Sequence, residues 1–166
     1  MKTYLTIIIA LFLTACHATT KAPEDLSVSG ASLDGNARII TTESQNDFDT
    51  TLSTLRSVID AKGFKTFAVV DHAAGARSID LELAPTTLIV FGNPKGGTPL
   101  LQADSRLGLE LPLRMLVREN ANGSVEIIHE DLAALFAEYG VAGLDANLGA
   151  ISNALNGIAA AAAGSQ

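Results

Sequence analysis

Tryptophan is missing from this chain, and aromatic residues make up only 5% of it. That shortage argues against platforms that stack bases or sugar rings. Cysteine occurs once, at Cys16, so no intramolecular disulfide can form. Positive charge is scarce: 11 Lys and Arg stand against 18 Asp and Glu, for a net charge of -7. With no basic patch visible, no nucleic-acid partner is expected, and attraction to anionic headgroups is disfavoured. Catalytic signatures are missing as well. There is no Gly-x-Ser-x-Gly elbow, no His-x-x-x-His pair and no cysteine set for zinc. Among groups able to move a proton, the pattern nominates only Asp71, His72 and His129. No cofactor is implied and no metal site is expected. His72 and His129 could act as imidazole ligands, but their spacing does not force them together.

What is present begins with a leader. A short cationic start, Met-Lys-Thr-Tyr, precedes an apolar run over residues 5–13 that only Thr6 interrupts. The run is too short to span a bilayer as a lasting helix and has the length of a signal-peptide core. It ends in Leu13-Thr14-Ala15-Cys16, which resembles a bacterial lipobox. Cleavage before Cys16 would leave its sulfur to carry diacylglycerol, and several acyl chains would hold the protein on a membrane where one is marginal. The alternative is an ordinary signal peptide that leaves a stray thiol. Residue 17 is His rather than Asp. By resemblance to enterobacterial sorting, this places the protein in the cell envelope on the periplasmic face of the outer membrane. Residues 17–36 are polar and aperiodic and read as a tether. The predicted division is a leader over 1–15, lipidated Cys16 and tether over 16–36, an α+β domain over 37–140, and an Ala-rich helix over 141–166.

The domain is organised around residues 86–101, TTLIVFGNPKGGTPLL. Leu88-Ile89-Val90-Phe91 suits a strand covered on both faces. Residues 92–97 read as a tight loop, since Asn-Pro and Gly-Gly are strong turn punctuation. Thr98 then caps a helix with Pro99 at its first position. The loop would deliver glycine backbone, the Lys95 cation and a helix N-terminus to one place, a combination that favours an anion. The phosphate-loop pattern is not met, because Thr98 stands where it requires Lys. A tight structural turn is the competing reading.

The string FGNPKGGTPLLQ, preceded by Asp71-His72 and followed by Leu111-Pro112-Leu113, resembles the bacterial "domain of unknown function 302" family. The resemblance covers roughly residues 38–140. It implies a small α+β domain, a homodimer in many members, and no established activity, so it carries over no catalytic residue. A Tyr near His129 and a Pro near Leu132 are usual in that family and absent here.

Elsewhere the pattern predicts a first strand over 38–42. Ser44 and Asp47 resemble a capping box ahead of a helix carrying Phe48, Leu52, Leu55 and Ile59, which Gly63 closes. A strand over 64–71 follows, then a short helix over 73–81. Residues 114–119 and 124–129 read as a hairpin around Asn120-Ala121-Asn122-Gly123. Asp131 caps a helix with Leu132, Leu135, Phe136 and Tyr139. Leu144, Leu148, Ile151, Leu155 and Ile158 make a narrow apolar stripe on a last helix. That helix either folds onto its own domain or serves self-association. The expected architecture is α+β, with helices on one face of a mixed or antiparallel sheet.

Three functions follow. The first is a lipid-anchored module that binds a small ligand or partner through Asn93, Lys95, Gly96, Gly97 and Thr98, with Asp71 and His72 as further candidates. The second is an enzyme with a pocket built from Asp71, His72 and Lys95. The third is a structural envelope protein acting through oligomerisation.

Overall fold

The computed structural model describes residues 38–140, 143 and 145–164. Cys16, the leader, the tether and Leu144 lie outside the described residues. The first strand, β1 (Ile39–Ser44), leads directly into α1 (Phe48–Ala61). Ser44 does not cap that helix. It ends β1 and bonds the Thr51 hydroxyl at 2.7 Å, while Asp47 is the cap and accepts from the Thr50 N–H at 2.7 Å. An Asp side chain satisfies a first-turn donor as well as Ser does. Lys62 follows the last turn, and Gly63 takes the left-handed conformation (φ 76) that closes the helix.

Next come β2 (Lys65–Asp71), α2 (His72–Arg77), β3 (Thr86–Gly92) and α3 (Pro94–Ala103). A 3-10 helix, Ser105–Leu109, leads to β4 (Leu113–Glu119), β5 (Val125–Glu130), α4 (Leu132–Ala137) and α5 (Asp145–Ala163). The five strands form one sheet in the order β1-β5-β4-β3-β2. Every neighbouring pair is antiparallel.

Register puts Ile89, Met115 and His129 in one row across the sheet, and Thr87, Val117 and Ile127 in another. These residues are buried. They face Leu55 and Ile59 of α1 and Leu155, Ile158 and Ala159 of α5, and together form the core. The opposite face carries Leu88, Leu116 and Ile128, which are half-buried. Flanking them are the cross-strand pairs Arg118–Glu126 and Arg114–Glu130. The β3 run is therefore dry on one face and only half-covered on the other.

The last helix folds back onto its own domain. Leu155 and Ile158 pack against the same cluster as α1, and alanines at 159, 162 and 163 are fully buried. Small side chains there let the helix lie close to its neighbours. The Ala163 carbonyl accepts from the Gln45 N–H at 2.8 Å, which ties the end of α5 to the turn after β1. The hydrophobic core thus continues through the segment expected to be a tail.

β2 forms where the sequence predicts it, at the border of the sheet. It is an edge strand with a register shift between Thr66 and Ala68. Phe67, Val69 and Val70 are 52%, 43% and 41% exposed.

Candidate functional site

The turn after β3 is shorter than the glycines suggest. Asn93, not Thr98, caps α3: its Oδ1 accepts from the Lys95 N–H at 2.9 Å. Pro94, not Pro99, takes the first helical position. The grammar of cap-then-proline is the expected one, begun five residues earlier. Gly96 and Gly97 consequently lie within the helix, and their N–H groups both donate to the Asn93 carbonyl at 3.0 Å. The first-turn donors are thus already used, so the helix start is not the open anion cradle expected from sequence.

What the glycines build is a concavity. A cavity of about 500 Å³ opens beside them, within the size range of small-ligand sites. Phe64 and Phe67 form one wall, Leu101 of α3 another, and Leu111 and Leu113 a third. Ile151 closes it from α5. Backbone at Gly92, Gly96, Gly97 and Gly108 supplies flat stretches of lining. Asn93 and Thr98 are the polar side chains along it, and among the described residues no titratable group lines it.

Two details fix this shape. A Cβ on Gly92 would stand 3.2 Å from Phe67 Cε2, so any larger residue at 92 would press on the ring that lies across the strand end. Phe64 meets Phe91 edge-on with ring centres 5.5 Å apart, which anchors the wall to the core.

The 3-10 helix that carries Gly108 to the cavity is itself capped. Asp104 accepts from the Arg106 N–H at 2.9 Å and pairs with the Arg106 guanidinium at 2.6 Å. The guanidinium hydrogen bond, then the backbone one, holds the Asp104 carboxyl below the usual carboxylate range. Arg106 also lies over the Tyr139 ring, 5.8 Å from its centre. Tyr139 donates to Glu110 at 2.6 Å, and that hydrogen bond, with burial second, raises its hydroxyl above the ordinary tyrosine value. A depressed carboxylate pKa adds stability above the unfolded value and loses it as pH falls through the folded one. Asp104→Asn keeps a capping side chain. It is expected to cost little at neutral pH and to weaken the acid-side fall of Tm, measured by thermal melts across the acid range.

The sequence-nominated residues divide cleanly. Asn93, Gly96, Gly97 and Thr98 line the cavity, whereas Lys95, Asp71 and His72 do not. Asp71 caps α2, accepting from the Ala74 N–H at 2.8 Å, and pairs with Arg77 at 3.7 Å. His72 is exposed at the start of that helix. In the β2–β3 ladder Asp71 opposes Thr87, while Lys65 opposes Gly92. The Asp-His pair and the Asn93 turn therefore sit at opposite ends of the strands, about 17 Å apart at the usual rise per residue. The pocket of Asp71, His72 and Lys95 is not assembled.

His129 is buried on the core face of β5, 3% exposed. Its Nδ1 lies 3.0 Å from the Glu130 carbonyl, and its Nε2 has no partner among the described residues. Three strand spacings separate the His129 row from β2, about 14 Å, which is too far for His72 and His129 to share an ion. Among the described residues no three His, Cys, Asp or Glu side chains cluster to hold a metal. Sequence reasoning missed Phe64, Phe67, Leu111 and Ile151. Each reads as an ordinary apolar residue of its own element, and only the tertiary fold brings them to one opening.

A five-stranded antiparallel α+β sandwich with an apolar cavity at the β3–α3 turn is the class this fold defines. The chain belongs to the family described as "Domain of unknown function DUF302", which it matches over residues 40–162. That span reaches into α5, in keeping with the core contacts of the last helix. The crystal structure of an uncharacterised conserved DUF302 protein from Bacillus stearothermophilus has the same fold. It superposes with a TM-score of 0.68 at 17% identity, covering 73% of this chain and 94% of that one. Two curated relatives are named "Fluoride-specific ion channel FluC 1". The one from Brucella suis biovar 1 (strain 1330) is 39% identical over 97 residues, 58% of this chain and 38% of its own. The one from Brucella abortus biovar 1 (strain 9-941) is equally similar, with 36% of its length covered. The chain therefore spans well under half the length of the curated relatives it matches.

Proposed function

We propose that this protein is a lipid-anchored envelope module that binds a small, largely apolar ligand in the cavity beside Gly96 and Gly97. The single observation behind this reading is the cavity itself: about 500 Å³, walled by aliphatic and aromatic side chains, at the turn that also carries the distinctive sequence. An apolar ligand gains by leaving water in such a place, and Asn93 and Thr98 give it a polar edge. The lipobox at Cys16 supports attachment to a membrane, and His17 in place of Asp favours the periplasmic face of the outer membrane. Ion channels act in membranes, so the names of the Brucella relatives fit that setting. Fluoride transport is not carried over, because the match covers only part of those proteins. No helix among the described residues is long and apolar enough to cross a membrane.

Gly97→Leu tests the cavity. A Cβ there would meet Leu111 Cδ1 at 3.8 Å, an ordinary contact, so the remaining carbons can extend into the space. Replacing a helical glycine also favours the helix by up to about 1 kcal/mol. The expected result with the purified full chain is loss of the fluorescence enhancement of N-phenylnaphthylamine, an uncharged probe, with no fall in Tm. Unchanged enhancement in the variant, or none in the parent protein, overturns the reading.

A further inference from the structure

We infer that the ligand of this cavity is an amphiphilic anion, a long-chain carboxylate or phosphate whose alkyl body fills the cavity while its head meets three lysines at the rim. The inference rests on the cavity being a binding site, as proposed above, and adds the chemical class.

Lys62, Lys65 and Lys95 are the lysines of the described residues, and all three flank the cavity's lining. Lys62 ends α1 two residues before Phe64. Lys65 opposes Gly92 in the ladder, and its Nζ lies 5.8 Å from the centre of the Phe67 ring. Lys95 sits between the lining residues Pro94 and Gly96. Asn93 Nδ2 donates to the Gly63 carbonyl at 3.1 Å, which fastens the Lys62 turn to the start of α3. Lys62 at the end of α1, Lys65 on β2 and Lys95 in the first turn of α3 thus each neighbour residues of the lining.

Their state differs from that of most of the arginines. Arg38, Arg77, Arg106, Arg114 and Arg118 each have a carboxylate partner. The three lysines are exposed and have no ion pair among the described residues. In a chain of net charge -7, unpaired cations next to the lining of a large apolar cavity run against the general charge. An uncharged hydrocarbon would leave them without use. A dianion wholly inside the cavity would lose its water against apolar walls. A molecule with its charge at one end satisfies both regions. The rim is apolar between the lysines: Phe67 is 52% and Leu101 39% exposed, so an alkyl chain stays in contact as it slides in.

The test is displacement of N-phenylnaphthylamine from the purified full chain by dodecanoate and by dodecanol, which share a chain and differ in the head. Dodecanoate is expected to displace at a roughly tenfold lower concentration, as several exposed charge contacts together allow. Raising salt should shrink that advantage. The triple variant Lys62→Gln, Lys65→Gln, Lys95→Gln should bring the two curves together and leave dodecanol unchanged. Displacement by phosphatidylglycerol vesicles, lost in the triple variant, supports a lipid as the source of the anion. Displacement by dodecanoate without the vesicles supports a free acid. Equal potency of the two chains in the parent protein overturns the inference and leaves the cavity standing as an apolar site. Weaker displacement by dodecanoate than by dodecanol overturns the inference in the same way, and failure of both to displace the probe overturns the cavity reading instead.

Discussion

Removal of residues 141–166 is expected to abolish the cooperative unfolding transition. The last helix supplies Leu155 and Ile158, both essentially without solvent exposure, and a run of buried alanines. Those two large side chains alone represent roughly 3–6 kcal/mol of apolar burial. Their loss also uncovers Leu55 and Ile59, which share the cluster. A small domain has only about 5–15 kcal/mol of net stability. Circular dichroism melts should show a broad, shallow change in place of a sigmoid, and light scattering should show aggregated material. A sharp transition and an unchanged molar mass would contradict this. The same experiment bears on the idea that the tail exists for self-association. The described part of its apolar stripe is spent within the fold, so little of it is left for a second copy to meet.

An all-or-none outcome is also expected at Cys16. If diacylglycerol is attached there, Cys16→Ser removes the only thiol in the chain and with it the attachment point. Cells fed an alkyne-tagged fatty acid should label the parent protein and leave the variant blank. The variant should keep its leader, because cleavage at a lipobox follows acylation of the cysteine, and its mass should exceed that of the processed chain by residues 1–15 less the lipid. Labelling that survives the change, or a parent protein that never labels, would remove the anchor. Stable retention needs more than one acyl chain, so the labelled parent should also resist extraction by salt while yielding to detergent.

Much of the fold could be read ahead of the structure where side-chain period and end signals agreed. Phe48, Leu52, Leu55 and Ile59 recur on one helical face, and Gly63 closes it. The hairpin at 120–123 forms as its turn residues require, with Gly123 in the left-handed region (φ 83) and the Asn120 N–H bonded to the Ser124 carbonyl at 2.8 Å. Asp131 caps α4 through the Ala133 N–H. The reading slipped where two valid signals lay close together. Asn93-Pro94 and Thr98-Pro99 are both acceptable helix starts, and the glycines between them favoured the later one. The earlier one prevails, and Gly96 and Gly97 serve packing and lining rather than a loop. The candidate site was half visible. Its glycines and Asn93 lie in one string, whereas Phe64, Phe67, Leu111 and Ile151 are gathered by tertiary contact, which no local pattern encodes. The anion expectation combined the Lys95 cation with backbone N–H groups, and those N–H groups are taken up by Asn93.

The irregular step in β2 joins two properties that are usually independent. A regular outermost strand offers a full row of peptide groups to any passing chain. The shift between Thr66 and Ala68 spoils that row, and Phe67, the residue set loose by it, lies across Gly92 as a wall of the cavity. A deletion that restored the ladder would remove the aromatic cover and leave a stickier border in one stroke. Resistance to clumping and the outline of the cavity are therefore inherited together, through a single extra residue.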